Sequence, residues 1–403
     1  MSIEIRIPAD DAELRRVMRV GEAAFGDEQK DEDFERHRRA LPPERFLGAY
    51  DDGRPVGTAA AYRFDLTVPG GEVPAAGVTW VGVLPSHRRR GVLTELMRRQ
   101  LADAHDAGES IAILWASESA IYGRFGYGIA APNVSLDAER ARFRFRDDPG
   151  ATGRVRIVDA EEGGELFPAV YERVRRERPG MVSRSPERWS ESRFVDPEHW
   201  RRGAGPKFYA VIDVDGGPEA YAIYRIKQEW EEGIPRSQLR VVEAIATSPA
   251  ATRELWRFLF GIDLIARVQY WHYDPASPLF LMVDDPRSLH LRLADGLWLR
   301  LVDVEAALRA RTYAADDAVV LELRDDLCPW NAGRWRVGAE VARTDEEPDL
   351  ALDVRDLACA YLGAFDFHRL AAAGLARDPR PGALDRASAL FRTTHAPYCA
   401  DDF

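Results

Sequence analysis

The feature that most limits how this 403-residue chain can fold is an internal repeat. The stretch "RFLGAYDDGRPVGTAAAYRF", from Arg45 to Phe64, sets apolar β-formers on either side of a D-D-G-R-P turn and predicts strand, turn, strand. "KFYAVIDVDGGPEAYAIYRI", from Lys207 to Ile226, has the same form, with Phe46 matching Phe208 and Gly57 matching Ala220. Further on, "TWVGVLPSHRRRGVLTELM" parallels "VVEAIATSPAATRELWRFL", with Pro85 matching Pro249. The offsets are 162, 163 and 164 residues. One hairpin matches easily by chance; a hairpin followed by a strand, proline and helix at near-constant spacing does not. The repeat predicts two copies of one α/β domain, at residues 1–148 and 149–290, joined at "FRDDPGATGR". From Leu291 the pattern changes. "LWLRLVDVEAALRAR" reads as a strand leading into a helix, and "AVVLELRDDLCPWNAGRWRV" as a hairpin turning at Pro329, Asn331 and Gly333. A third, α+β domain is expected over 291–403.

Composition narrows the function classes. The formal net charge is −12, which disfavours nucleic acid, because that binding needs a broad basic surface. An acidic field instead attracts cationic molecules. No apolar run approaches the ~20 residues that span a bilayer, and the N-terminus has no export signal pattern. Three cysteines without C-x-x-C spacing predict neither a disulfide framework nor a metal site, and point to a reducing cytoplasm.

Against that acidic background, "VLPSHRRRGVLTELM" gathers His87, Arg88, Arg89 and Arg90 at one point. A strand ends before Pro85, and an amphipathic helix starts near Gly91 with the stripe Leu93, Leu96, Met97, Leu101 and Ala104. The basic residues therefore form the loop that opens a helix. Helix N-termini carry free N–H donors and a partial positive charge, which together bind phosphate. Gly91 allows close backbone approach, and arginines fork onto phosphate oxygens. A solvated basic turn is the plain alternative. The segment is not a G-x-x-x-x-G-K-[ST] loop, so triphosphate transfer is not indicated.

The R-x-x-G at 88–91 resembles the acetyl-CoA pyrophosphate loop of GNAT acetyltransferases, with Leu93 where that loop usually has a small residue. "SESAIYGRFGYG", from Ser117 to Gly128, follows the predicted strand "AILWA". Together the two segments resemble the enhanced intracellular survival (Eis) family of N-acetyltransferases, which accepts that leucine. The resemblance covers the whole chain and implies tandem GNAT-like domains followed by a sterol-carrier-like domain. It implies that the second copy has lost its cofactor site, and "PAATREL" there indeed has neither glycine nor arginine cluster.

Acetyl transfer to an amine needs a polarised thioester carbonyl, a neutral amine and a proton for the leaving thiolate. The residues alone leave Tyr122 and Tyr127 both open as proton donor, and leave His87 and Glu118 as conceivable bases. The resemblance implies Tyr122 as general acid and the C-terminal carboxylate of Phe403 as base. It further implies cofactor contacts from Val81, Gly82, Val83, Arg88, Arg89, Arg90, Gly91, Val92 and Ser117. It also implies an acceptor wall of Phe25, Asp27 and Phe34, and Asp401 and Asp402 are expected to add negative charge near the amine. Acid plus aromatic suits a polycation such as an aminoglycoside, polyamine or protein lysine. Family members assemble as hexamers, so a homohexamer is expected. A lipid carrier built on the C-terminal domain, or an acyl-CoA-binding regulator without turnover, are the competing readings.

Overall fold

The computed structural model describes residues 3–26, 30–377 and 379–403. Strand β1 (Glu4–Arg6) leads to helices α1 (Asp11–Phe25) and α2 (Asp31–Ala40). Asp10 caps α1 by accepting from the Glu13 N–H, and Gly26 ends it in the left-handed region. The first expected hairpin forms as β2 (Phe46–Asp51) and β3 (Arg54–Val68), turning at Asp52 and Gly53, both with positive φ. Strand β4 (Gly71–Val83), helix α3 (Val92–Asp106), strand β5 (Ile111–Trp115), the short helix α4 (Ser119–Tyr122) and strand β6 (Gly128–Glu139) follow.

Strands β1 to β4 pair antiparallel in order, and β4 pairs parallel with β5. The next place beside β5 is taken by a strand from far along the chain, Arg292–Leu301, through pairs such as Leu297 with Trp115. Helix α3 lies on this sheet. Its buried face is Val92, Leu96, Met97, Gln100, Leu101 and Ala104, so Val92 takes the place expected for Leu93, which is half-buried. The reason is Gly57 on β3: a side chain there would meet Val92 Cγ1 at 3.0 Å and Leu96 Cδ1 at 3.1 Å. Val92 and Leu96, one helical turn apart, fill that space, and each such burial stabilises by roughly 1.5–3 kcal/mol.

The C-terminal region makes its own five-stranded sheet, centred on Val319–Arg324 and Leu350–Asp353, with helices Val304–Ala310, Val354–Tyr361, Phe367–Ala372 and Ala383–Phe391. This is the expected α+β region.

The second copy of the repeat forms a sheet in the order Ile265–Tyr273, Ser237–Ala246, Gly217–Lys227, Phe208–Val214, Arg154–Val158, with the end of β6 beside Ile265–Tyr273. Its helix corrects one expected match. Pro249 is the first helical residue, capped by Ser248, whereas Pro85 lies in the loop well before α3. The second copy has no loop here: its strand ends at Ala246 and its helix begins at Pro249.

Packing groups the chain differently from three consecutive segments. Residues 1–131, 295–397 and 402–403 form one compact unit, and 132–294 with 398–401 form another. The chain changes unit inside β6, which is why a border read near residue 148 does not coincide with a break in packing. Among the described residues, no helix is long and apolar enough to cross a membrane.

Candidate active site

The site begins with an irregularity in β4. Thr58 pairs with Gly82 and Ala60 with Thr79, so β4 spends one more residue than β3 over this span. The extra residue is a bulge at Trp80–Val81. Trp80 has φ +54°, a left-handed conformation that costs a bulky residue ~1–3 kcal/mol. Its indole is held by a His37 edge contact at 5.1 Å and by Phe46 at 6.4 Å. Gly21 on α1 makes the room, since a Cβ there would sit 3.1 Å from Trp80 Cε3.

Below the bulge the sheet opens. The β4–β5 ladder stops at the pair Gly77–Ile113, yet β4 continues to Val83 and β5 to Trp115. On the β5 side, the end of β4 therefore presents backbone groups that no strand takes. Where the strands part lies a cavity of about 310 Å³. Gly21, Glu22 and Phe25 of α1 form one wall; Val78, Thr79, Trp80 and Val81 of β4 form another. Trp115, Ser117, Tyr122 and Phe403 complete it.

Tyr122 ends α4, which starts after Glu118, and only 6% of its surface is exposed. Burial, and secondarily the Glu118 charge, push its hydroxyl up to about 12. It therefore keeps its proton throughout the neutral range. Tyr127 stands behind it, its ring meeting the Tyr122 ring edge-on at 5.9 Å. Tyr127 is buried and does not line the cavity, and burial drives its hydroxyl higher still.

Phe403 enters the cavity from the chain's end. Its ring packs on Phe64 at 5.0 Å and on Tyr62 at 6.4 Å. Gly77 makes this seat possible, because a Cβ there would fall 2.3 Å from Phe64 Cε2 and 3.3 Å from Phe403 Cε2.

The basic loop lies beyond the tip of β4. Arg88, Arg89 and Arg90 are exposed, and Arg88 makes long contacts of 3.4 Å to the carbonyls of Val83 and Ala24. Gly91, with φ +83°, is the N-cap of α3 and supplies no side chain to its first turn. Among the described residues, the first N–H groups of α3 have no capping side chain, and nothing lies within 4 Å of where a Gly91 side chain would project. This arrangement fits a diphosphate: open backbone donors at a 15-residue helix start, flanked by guanidinium groups. His87 is otherwise engaged, with Nε2 3.2 Å from Asp51 Oδ2.

The other expected positions divide. Val81, Ser117 and Phe25 line the cavity, Phe25 being 57% exposed. Gly82, Val83 and Val92 are buried beside the loop. Phe34 requires correction: it is 6% exposed and lies beneath the Arg15 guanidinium at 3.7 Å, so it builds the α1–α2 packing and not the cavity wall. Asp27 lies outside the described residues. Asp402 is exposed and does not line the cavity. Asp401, expected near the amine, is fully buried in the second unit, where Arg184 and Arg193 hold it. Sequence reasoning missed Trp80, Trp115 and Glu22. Only Glu22 carried a signal, being three residues before Phe25 and so on the same face of α1.

Residues 5–130 match the model of an acetyltransferase (GNAT) domain, residues 180–301 match a second acetyltransferase (GNAT) domain, and residues 304–400 match a sterol carrier protein domain. An uncharacterized N-acetyltransferase of Streptomyces avermitilis is 44% identical over 367 residues, 89% of this chain and 90% of its own. The N-acetyltransferase Eis of Mycobacterium tuberculosis is 36% identical over 362 residues, 85% of each chain. The crystal structure of Eis1 from Mycobacterium abscessus superposes with a TM-score of 0.87 at 37% identity, covering 99% of this chain and 100% of that one.

Proposed function

The chain belongs to the Eis family of GNAT N-acetyltransferases, and we propose that the cavity between α1, β4 and the chain end acetylates an amine of a cationic acceptor. It is an N-acetyltransferase built of two GNAT domains and a sterol-carrier-type domain. The GNAT domains imply acetyl-CoA as co-substrate, which brings an activated thioester to the site. One observation carries the finer reading: Tyr122, the Phe403 end and the β4 bulge all face one cavity.

In this reading Arg88, Arg89, Arg90 and the Gly91–Val92 start of α3 hold the pyrophosphate. The open edge of β4 at Val81, Gly82 and Val83 receives the pantetheine arm and polarises the thioester carbonyl, with Ser117 opposite. Glu22 and the Phe403 carboxylate draw in the ammonium, and Phe25, Trp80 and Trp115 offer aromatic faces to it. A terminal carboxylate, with a reference pKa of ~3.5, is a weak base for an ammonium. Its part is to fix the amine and pass its proton to solvent. The amine nitrogen then bonds to the carbonyl carbon, the C–S bond breaks, and Tyr122 gives its proton to the departing sulfur.

The lipid-carrier reading is not favoured, since the relatives are named for acetyl transfer. Thiol release from acetyl-CoA with aminoglycosides, polyamines and lysine peptides, next to a fluorescent fatty-acid binding assay, separates the readings. Turnover without fatty-acid binding supports ours; saturable fatty-acid binding without turnover overturns it. We carry over the homohexamer from the resemblance: with a 45.3 kDa chain, light scattering showing a monomer at micromolar concentration would refute it.

A further inference from the structure

The turn that carries Tyr122 rests on a buried cation that acetyl transfer, as described above, does not use. Arg300 is fully buried on the strand Arg292–Leu301, paired opposite Ala112 of β5. Its Nη2 donates to Asp325 Oδ2 at 2.5 Å. Asp325 is itself fixed from several sides: it accepts from the N–H groups of Leu327 and Cys328 and from Asn331 Nδ2, at 3.0–3.2 Å. The pair is a rigid post.

The rest of the guanidinium faces the Tyr122–Tyr127 turn. A Cβ on Gly126 would lie 2.8 Å from Arg300 Cζ, Nε and Nη1 alike, so the guanidinium occupies the space that a side chain at this left-handed position would take. Arg300 Nε and Nη1, and the Tyr127 hydroxyl, make no close hydrogen bond among the described residues, and the Cys328 thiol, a weak acceptor, stands beside the guanidinium. Buried polar atoms so weakly satisfied are unusual in a native core and ask for a reason. The turn is closed by Gly126 N–H to Gly123 O and by Tyr127 N–H to Tyr122 O, and the Tyr127 ring abuts the Tyr122 ring. Anything that fixes Gly126 and Tyr127 thereby fixes Tyr122.

We propose that Arg300, clamped by Asp325, is a positioning residue for Tyr122: its guanidinium face sets the Gly126 turn and so aims the Tyr122 hydroxyl into the cavity. A sequence from the third region of the chain would thus tune the chemistry of the first. The inference rests on Tyr122 being the proton donor, so the experiment includes Tyr122→Phe.

Steady-state kinetics are measured for wild type, Tyr122→Phe, Arg300→Lys, and the charge-neutral pair Arg300→Met with Asp325→Asn. The pair avoids leaving a lone buried charge, and Arg300→Lys, which keeps charge and volume, serves if the pair does not fold. We expect kcat to fall about 10–100-fold in the pair, as misplacement by an ångström does, with the acetyl-CoA KM changed less than twofold. Arg300→Lys should recover part of kcat. A folded pair or a folded Arg300→Lys variant with wild-type kcat overturns the proposal, as does a loss confined to KM. If Tyr122→Phe itself keeps wild-type kcat, the proton-donor reading fails first, whatever the Arg300 variants do.

Discussion

Tyr122 and Tyr127 differ by five places in the sequence and by one cavity wall in the fold. Both hydroxyls are raised by burial, but only Tyr122 reaches the cavity. Tyr122→Phe should fold and bind acetyl-CoA while kcat drops by about 10²–10⁴, the usual share of a general acid. Tyr127→Phe, which loses a hydroxyl with no partner among the described residues, should keep kcat within a few-fold. Stopped-flow or steady-state thiol release distinguishes them, and the opposite ranking would sink the assignment. Because burial pushes the Tyr122 hydroxyl up to about 12, kcat should show no loss from its ionisation between pH 7 and 10. The residues alone leave the two tyrosines open, because which ring reaches the cavity depends on packing that a local motif does not record. Trp80 was not legible: its place depends on a positive φ inside a bulge, which no side-chain pattern records. Phe34 was misplaced because acid-plus-aromatic spacing on a helix looks the same whether the ring meets solvent or an arginine.

The elements that matter are two interruptions, one in a sheet and one before a helix. The β4 bulge and the early end of the β4–β5 ladder create the cleft, and the loop before α3 leads into a helix start without a side-chain cap. The second copy keeps the hairpin, the strand and the helix but lacks the loop, so it supplies a control within the same chain. Arg88→Ala with Arg89→Ala should raise the acetyl-CoA KM by ~10–150-fold, the worth of one charge-assisted phosphate pair, without lowering the thermal midpoint. Isothermal titration with coenzyme A checks this directly; unchanged affinity contradicts it. The hairpins and helices were readable from turn residues and periodicity. The missing loop was not, because matching prolines suggested a matching register where the structure has a deletion.

At the scale of the molecule, order along the chain and order in space part company. The strand Arg292–Leu301 joins the sheet of β5, and the last residues divide between the units, Tyr398–Asp401 with one and Asp402–Phe403 with the other. No sequence pattern announces such exchanges, since each strand is locally ordinary. Within the second unit, Asp401 meets Arg184 and Arg193, which also bind Glu243, and accepts from the Tyr171 hydroxyl at 2.9 Å. Despite burial, these cations hold the Asp401 carboxyl far below its usual range. A depressed carboxylate stabilises the fold above its unfolded pKa of ~3.9 and loses that contribution as pH falls through that value toward the folded one. Asp401→Asn should therefore cost about 3–5 kcal/mol at pH 7, as breaking a buried pair does, and about 1 kcal/mol less near pH 3, about one pH unit below the unfolded value. Denaturant unfolding at the two pH values tests this, and an equal loss at both would contradict the ionic account. In the proposed mechanism the Phe403 carboxylate takes part in acetyl transfer, and this is tested by kcat/KM of a form lacking Phe403, measured beside the full-length protein on several amines. A fall of tenfold or more with an unchanged thermal midpoint is the expected result; full activity on every amine would contradict it.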